Sequence, residues 1–491
     1  CWSGPNHNMT ATPSGQKLVD DLDQARLVWR SQQAIGLSQG CFSHPYFDHL
    51  FAQPTCGGGA APIVADGKVF ATQWFPDGKK YNANGIKNLQ DAATQWGLKE
   101  PTPAMKLHVS ETCHDWYVCL DAATGQTLWV AEFPEETGTY YPPQDSASHA
   151  ADHKNGPVGC TPCYANGKLF GLHLSGYLRA MDAKTGKLLW KKKIAGTAPQ
   201  NRGNDNCVMF IGGAVMTGNH AGTLYAFDPE TGSELWKGTC SAVSDPQRWV
   251  HGSAEYAFVN NGIDYSCLEP KTGKELWKLG PTSGGKLLGF TFWINGDTVA
   301  VLEGKDAKAD SRKDSLSIIL YRLTPQKAEK IWEVPAPGPL EGRWADVFAL
   351  DKYVAVFGIT LTRETKSWLL DKATGKEVAV AAVGGTENHG WVEMAEDRFF
   401  VKPDGVHGGI HINMMGATPE TFKVMGKGGW GPKFPHTSSY AFKPTTMPIV
   451  DGRMYIRGAD GIYCYDLRKT PAMLKVEGRG EWNYTVSPTS I

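Results

Sequence analysis

The chain has 491 residues, a length that on its own suggests three domains. Its 49 basic and 50 acidic residues leave a net charge of −1, with no basic stripe suited to nucleic acid and no polybasic segment suited to anionic lipid. No apolar run approaches the ~20 residues of a membrane-spanning helix. The most apolar stretch, 287–294, reads as an ordinary buried strand.

In chain order, residues 1–22 carry Trp2, Gly4, Pro5 and Asn6 and read as an irregular lead-in that packs on a face of the molecule. Cys1 fits either the acylated first residue of a mature bacterial lipoprotein or a residue exposed by another cut. Ala-Arg-Leu-Val-Trp-Arg at 25–30 is an outer strand without strands of its own beside it. Residues 76–114 interrupt the first set of strands, with a short helix predicted over 86–96 and a Pro-rich return at 100–103. Insertions in repeat proteins map to loops on one face.

A phrase then recurs. Cys-Leu-Asp-Ala-Ala-Thr-Gly-Gln-Thr-Leu-Trp ends at Trp129, and versions of it end at Trp190, Trp236 and Trp277, with a fifth copy at 369–378. The Asp can accept hydrogen bonds from turn amides two residues on, and the Gly supplies the positive φ of a bulged hairpin turn. Upstream of each phrase lies a second hairpin signalled by Asn-Gly or Asp-Gly, as at 161–171, 61–71 and 447–456. Four antiparallel strands per unit at this spacing make a propeller blade.

The expected fold is therefore all-β: eight blades centred on 60–129, 157–190, 204–236, 248–277, 287–332, 342–380, 390–428 and 440–468. The fifth blade is degenerate, with Thr324 for Asp and Lys327-Ala328 for Thr-Gly, but it keeps Trp332. The seventh lacks the phrase. The eighth, Tyr-Cys-Tyr-Asp at 463–466, has no Trp strand after it, so 25–30 is expected to supply that strand and close the ring. The organisation expected is a lead-in at 1–22, one propeller at 23–470 and a tail at 471–491.

Cys119, Cys267 and Cys464 occupy a position that is Ala180 and Ala226 in sister repeats, and read as core fillers. Cys160-Thr-Pro-Cys163 lacks the second Cys-x-x-Cys that a zinc site needs, and reads as the start of a strand, a disulfide or a redox pair in that order. There is no Cys-x-x-Cys-His for attached haem. His149-Ala-Ala-Asp-His153 has metal-pair spacing but sits in a loop, and His407 and His411 flank a Gly-Gly hairpin. No nucleophile elbow, phosphate loop or paired carboxylates stand out, so no catalytic or metal residues are assigned.

The candidate ligand residues are those expected just before the innermost strand of each blade, where the chain nears the central axis: His153, Arg202, Asp205, Arg248, Trp249, His251, Arg343, Trp344, His389, Trp391 and His436. Converging Arg and Trp suit an anionic or planar ligand. The alternative is that these groups bond neighbouring blades and plug the channel with water.

The Ala-x-Asp-x-x-Thr-Gly-x-x-x-Trp phrase resembles the tryptophan-docking repeat of quinoprotein-type, PQQ-like β-propellers. The resemblance spans about residues 24–470. It implies that Trp29, Trp129, Trp190, Trp236, Trp277 and Trp332 wedge between adjacent blades. It also implies one of two functional classes: dehydrogenases of alcohols or sugars holding pyrroloquinoline quinone with calcium or a lanthanide on the axis, or scaffolds such as the lipoprotein of the outer-membrane β-barrel assembly machinery. The alcohol-oxidising branch typically uses two adjacent cysteines, and this chain has no Cys-Cys pair. The expected function is thus an exported, non-catalytic binding or assembly propeller without cofactor, located in the periplasm, at the outer membrane or outside the cell. A quinoprotein dehydrogenase is the alternative. A carbohydrate-binding surface protein, using aromatic residues of 74–117, is the third.

Overall fold

The computed structural model describes residues 4–5, 7, 9–33, 60–76, 78–81, 83–95, 98–101, 106, 112–139, 161–172, 175–194, 207–219, 221–241, 245–262, 264–282, 285–288, 293–304, 316–338, 340, 345–360, 364–383, 391–402, 412–426, 447–457 and 461–469. Eight separate antiparallel sheets follow one another along the chain as the blades of a ring. Blade one runs Ile63–Ala65, Lys68–Pro76, Thr112–Asp121 and Thr127–Thr139 from axis to rim. Blade four repeats the pattern with Gln247–His251, Ala254–Asn260, Tyr265–Leu268 and Glu275–Leu279.

Ring closure follows the expected route. Arg26–Arg30 pairs antiparallel with Ile462–Asp466, with Arg26 opposite Asp466 and Trp29 opposite Cys464. The junction is further held by Arg457, fully buried, which donates to Ala60 O at 2.8 Å and Thr72 O at 2.9 Å in blade one. Blade seven has three described strands, Trp391–Ala395, Arg398–Lys402 and Asn413–Gly416. A single bridge from Met415 to Val424 marks where its outer strand would lie.

Two expectations need correction. The described parts of the apolar stretch 287–294 fall in two strands: Lys286–Leu288 and Ile294–Asn295 pair separately with Thr298–Gly304 at the inner side of blade five. The helix between the second and third strands of blade one runs Ala83–Gln95, starting three residues earlier than expected. No helix among the described residues is long and apolar enough to cross a membrane.

The repeated phrase does two jobs. Asp182 accepts from Lys184 N, Thr185 N and Thr185 Oγ1, and these bonds hold its carboxyl below the usual carboxylate range, the Thr185 hydroxyl first among them. Gly273, at φ +69°, is the floor on which the Trp of the preceding blade lies. A Cβ there would stand 2.6 Å from Trp236 Cδ2. The indole then donates from Nε1 to the carbonyl of Pro270 at 2.8 Å. The same geometry joins Trp29 to Ala122 O, Trp129 to Ala183 O, Trp190 to Pro229 O and Trp332 to Lys372 O.

Trp277 is the exception. Its Nε1 is buried and finds no hydrogen-bond partner among the described residues. The cause lies in blade five, where Ala328 replaces the glycine floor. Thr324 and Lys327 pair directly across a tight hairpin there, instead of opening the Asp-Thr-Gly turn. Trp277 packs instead edge-on to Trp249, 6.2 Å between centroids, and against Phe258.

Candidate functional site: the axial channel

Each blade's first strand has one edge paired to its own second strand and the other turned toward the axis. In blade seven that edge is occupied. Ala11 N donates to Met394 O at 2.8 Å, and Met394 N donates to Met9 O at 2.9 Å, so 9–11 run parallel to Trp391–Ala395. Arg248, on the first strand of blade four, donates from Nη1 to Pro5 O at 3.4 Å. Blades four and seven are three places apart in a ring of eight. A segment that touches the inner strands of both lies across the central space.

The apolar packing agrees. Met9 shares one buried cluster with Met209 and Ile211 of blade three, Phe348 and Phe357 of blade six, and Val392 and Phe399 of blade seven. The junctions between blades four and five, and between five and six, form clusters of their own. The cluster also holds Ala257 and Val259 of blade four and Trp293 of blade five, so Met9 packs into an apolar core shared by several blades. Beyond Met9 the segment emerges where Ser14 donates to Glu396 at 2.6 Å, passes Leu467 and reaches its outer strand in blade eight. The lead-in thus threads the axis, where its sequence had suggested packing on a face. Nothing in its composition marks it, because it is held by backbone bonds that any residue can make.

Several titratable groups lie on this segment and on the inner strands. His7 is enclosed, and burial, with the nearby Arg248 charge, holds its imidazole well below the usual histidine range. Its Nδ1 has no hydrogen-bond partner among the described residues. Arg248 is paired with Glu255, which also accepts from Gly212 N at 2.7 Å in blade three. Glu393, in the inner strand of blade seven, accepts from Met447 N of blade eight at 2.6 Å, and burial pushes its carboxyl up to about 7. Desolvation similarly pushes Asp346, at the start of the inner strand of blade six, up to about 7.

Of the ligand residues read from the sequence, Arg248, Trp249 and His251 lie within the inner strand of blade four, not in the loop before it. Arg248 does not converge with the other two. Arg248 reaches the axial segment. Trp249 is fully buried and donates to Asp297 Oδ1 at 3.1 Å, and His251 Nδ1 meets the same oxygen at 2.9 Å, at the hairpin end of blade five. Alternation along the strand separates Arg248 from them, since neighbouring side chains point to opposite blades. Asp297, which the sequence reading missed, is signalled only by the Asn-Gly-Asp hairpin at 295–297. Trp391 heads the inner strand of blade seven, opposite Lys402. His153, Arg202, Asp205, Arg343, Trp344, His389 and His436 lie outside the described residues.

A second polar cluster joins blades one and two. Asp115 and Arg179, both fully buried, pair at 2.5 Å, Ser175 N donates to Asp115 at 3.2 Å, and the guanidinium lies 4.3 Å from the Phe133 ring centroid. It is an inter-blade clamp. Cys207 is buried; Cys119, Cys163, Cys240, Cys267 and Cys464 are buried free thiols, and burial pushes Cys119, Cys240, Cys267 and Cys464 up to about 12. Such thiols pack and do not react. Cys163 begins the inner strand of blade two, as expected of its position. Among the described residues no three His, Cys, Asp or Glu side chains gather as metal ligands.

Fold and junctions together define a tryptophan-docked, eight-bladed propeller. A family profile described as outer membrane protein assembly factor BamB matches residues 16–248 and 220–400. That is well over half of the chain, and the chain belongs to this family of PQQ-like repeat propellers. Among curated proteins, the dehydrogenase subunit of a quinone alcohol dehydrogenase from Gluconacetobacter polyoxogenes is 29% identical over 331 residues, 61% of this chain and 41% of its own length. Quinoprotein alcohol dehydrogenase PedE of Pseudomonas putida is 29% identical over 170 residues, 33% of this chain and 25% of its own length. The chain therefore spans well under two thirds of these relatives. Among solved structures, BamB from Moraxella catarrhalis is similar with a TM-score of 0.44 and 13% identity, over 72% of this chain and 88% of that one.

The quinoprotein relatives raise the question of pyrroloquinoline quinone. The described axial residues do not fit it. A planar quinone on the axis needs an open slot between opposite blades and donors converging on its edges. Here Met9 stands in the cluster that links those blades, and Arg248 is already engaged with Pro5 O and Glu255.

Proposed function

We propose that this chain is a binding ring that engages a protein partner, or an anionic or planar ligand, through the loops at its axial mouth, and performs no oxidation itself. The observation that supports this reading most is that Pro5 and Met9 to Ala11 of the chain's own lead-in bond to the inner strands of blades four and seven, filling part of the axis. The family description, an assembly factor, points the same way. We place the protein outside the cytoplasm, in the periplasm or at the outer membrane. The quinoprotein dehydrogenases matched over 25% to 41% of their length keep the enzyme alternative in view.

The test is reconstitution. Purified protein is incubated with pyrroloquinoline quinone plus calcium, and separately plus a lanthanide, then assayed with primary alcohols and aldoses and an artificial electron acceptor. The expected result is no turnover above the apo background and no stoichiometric quinone retained. Turnover with either metal would overturn the reading in favour of the dehydrogenase.

A further inference from the structure

We infer that the axis-facing edge of Trp391–Ala395 is an acceptor site for an extended peptide strand, and that residues 9–11 fill it in cis as a displaceable occupant. The inference rests on the reading of the ring as a binding module and names the kind of partner it takes.

The site has three parts. Met394 offers both its N–H and its carbonyl toward the axis, and both are used by the lead-in. Such main-chain pairing supplies affinity without regard to sequence, as in strand-addition complexes. Beside it, Met9 is buried in an apolar cluster that draws residues from blades three, four, six and seven. A methionine, unbranched and adaptable, is a weakly specifying filler for such a space. Four residues upstream, Arg248 Nη1 takes a backbone carbonyl, that of Pro5.

The occupant is imperfect in ways a better ligand need not be. His7 at φ 56° and Met9 at φ 57° are both left-handed, a conformation histidine tolerates but one costly for methionine. His7 also buries a ring nitrogen without a partner among the described residues. A partner segment that ran extended past Met394, parallel to the inner strand, would make the same two backbone bonds without these costs. The ligand chemistry is thus an extended polypeptide with one large apolar side chain at the Met9 position and a free carbonyl four residues before it.

The experiment uses the full chain carrying Met9→Asp, which places a charge in the apolar cluster, or Ala11→Pro, which removes the donor to Met394 O and leaves every cluster side chain in place. A fluorescent synthetic peptide with the sequence of residues 4–14 is titrated into each variant and into the unaltered protein. The expected result is binding to both variants at least tenfold tighter than to the unaltered protein, and weaker binding of a scrambled peptide, which keeps the backbone bonds but misplaces the apolar side chain. Equal affinity for all three proteins, or no binding to a folded variant, overturns the inference. Failure of both variants to fold would make the segment an integral part of the ring and would overturn it equally. Quinone turnover in the reconstitution assay would remove the proposed function while leaving this peptide titration unaffected.

Discussion

The junction between blades three and four and the junction between blades four and five use the same residue, a tryptophan on the outer strand, and reach different ends. Trp236 lies on Gly273 and bonds Pro270 O. Trp277 meets a blade whose turn has lost its glycine and its Asp, and its Nε1 stays unbonded among the described residues. The docking tryptophan is therefore only half of the device. The other half is the floor and the carbonyl that the next blade's turn presents. Where the turn fails, an aromatic cluster of Trp249, Tyr256 and Phe258, anchored through Asp297, takes over.

This contrast can be broken most sharply at the floor. Gly273→Ala adds a Cβ at 2.6 Å from an indole in a backbone conformation that alanine avoids. A loss of about 2–5 kcal/mol is expected, from strain and overpacking together, read as a drop in the denaturation midpoint. Gly252→Ala is the control. It shares a positive φ of +60°, but its added methyl meets nothing within 4 Å, so only the strain, about 1 kcal/mol, should be lost. Equal losses would show that the floor is irrelevant.

Among the described residues, the junction between blades seven and eight shows no outer strand of blade seven; an apolar cluster and the bond from Met447 N to Glu393 join the two blades. Burial raises the folded carboxyl from 4.5 to about 7. The folded state therefore holds that proton more tightly than the unfolded state. The stability so gained is complete below about pH 4.5 and is lost as pH rises through 7. Glu393→Gln keeps an acceptor without the charge. It should stabilise the protein at pH 8 by up to about 3 kcal/mol and change little at pH 4.5. A pH-independent effect would contradict the buried, proton-holding state.

Smaller effects separate the two tryptophans directly. Trp236→Phe should cost about 1 kcal/mol more than Trp277→Phe, the worth of one hydrogen bond, because only Trp236 makes it. The smallest change is a gain. Thr324→Asp, Lys327→Thr and Ala328→Gly together rebuild the phrase in blade five at unchanged length. Trp277 should then acquire a floor and an acceptor, stabilising the ring by about 1 kcal/mol. No gain would mean that the aromatic cluster already satisfies that junction.

Much of the ring was legible because its signals are local. Asp-Gly and Asn-Gly hairpins, the spacing of the phrase and the orphan strand at 25–30 each act within a few residues or announce a missing partner, and the closure of Arg26–Arg30 on Ile462–Asp466 follows from them. The degenerate turn at 324–328 was also visible, but its consequence falls on Trp277, in the blade before it. The axis was not legible. Pro5 O on Arg248 and the backbone pair at Met394 use groups every residue carries, so no composition could point to them. The same holds for Trp249 and His251: their sequence position suggested a shared mouth, but strand alternation and Asp297 turn them to the junction with blade five.

The segment that crosses the centre decides between a filled and an open axis. Native-state hydrogen exchange of the Ala11 and Met394 amides tests it most directly. Both should be protected by at least about a hundredfold relative to an unstructured peptide, as paired and buried amides are. Ala11 exchanging at the rate of a free peptide, with Met394 equally open, would contradict an axis filled by the chain itself.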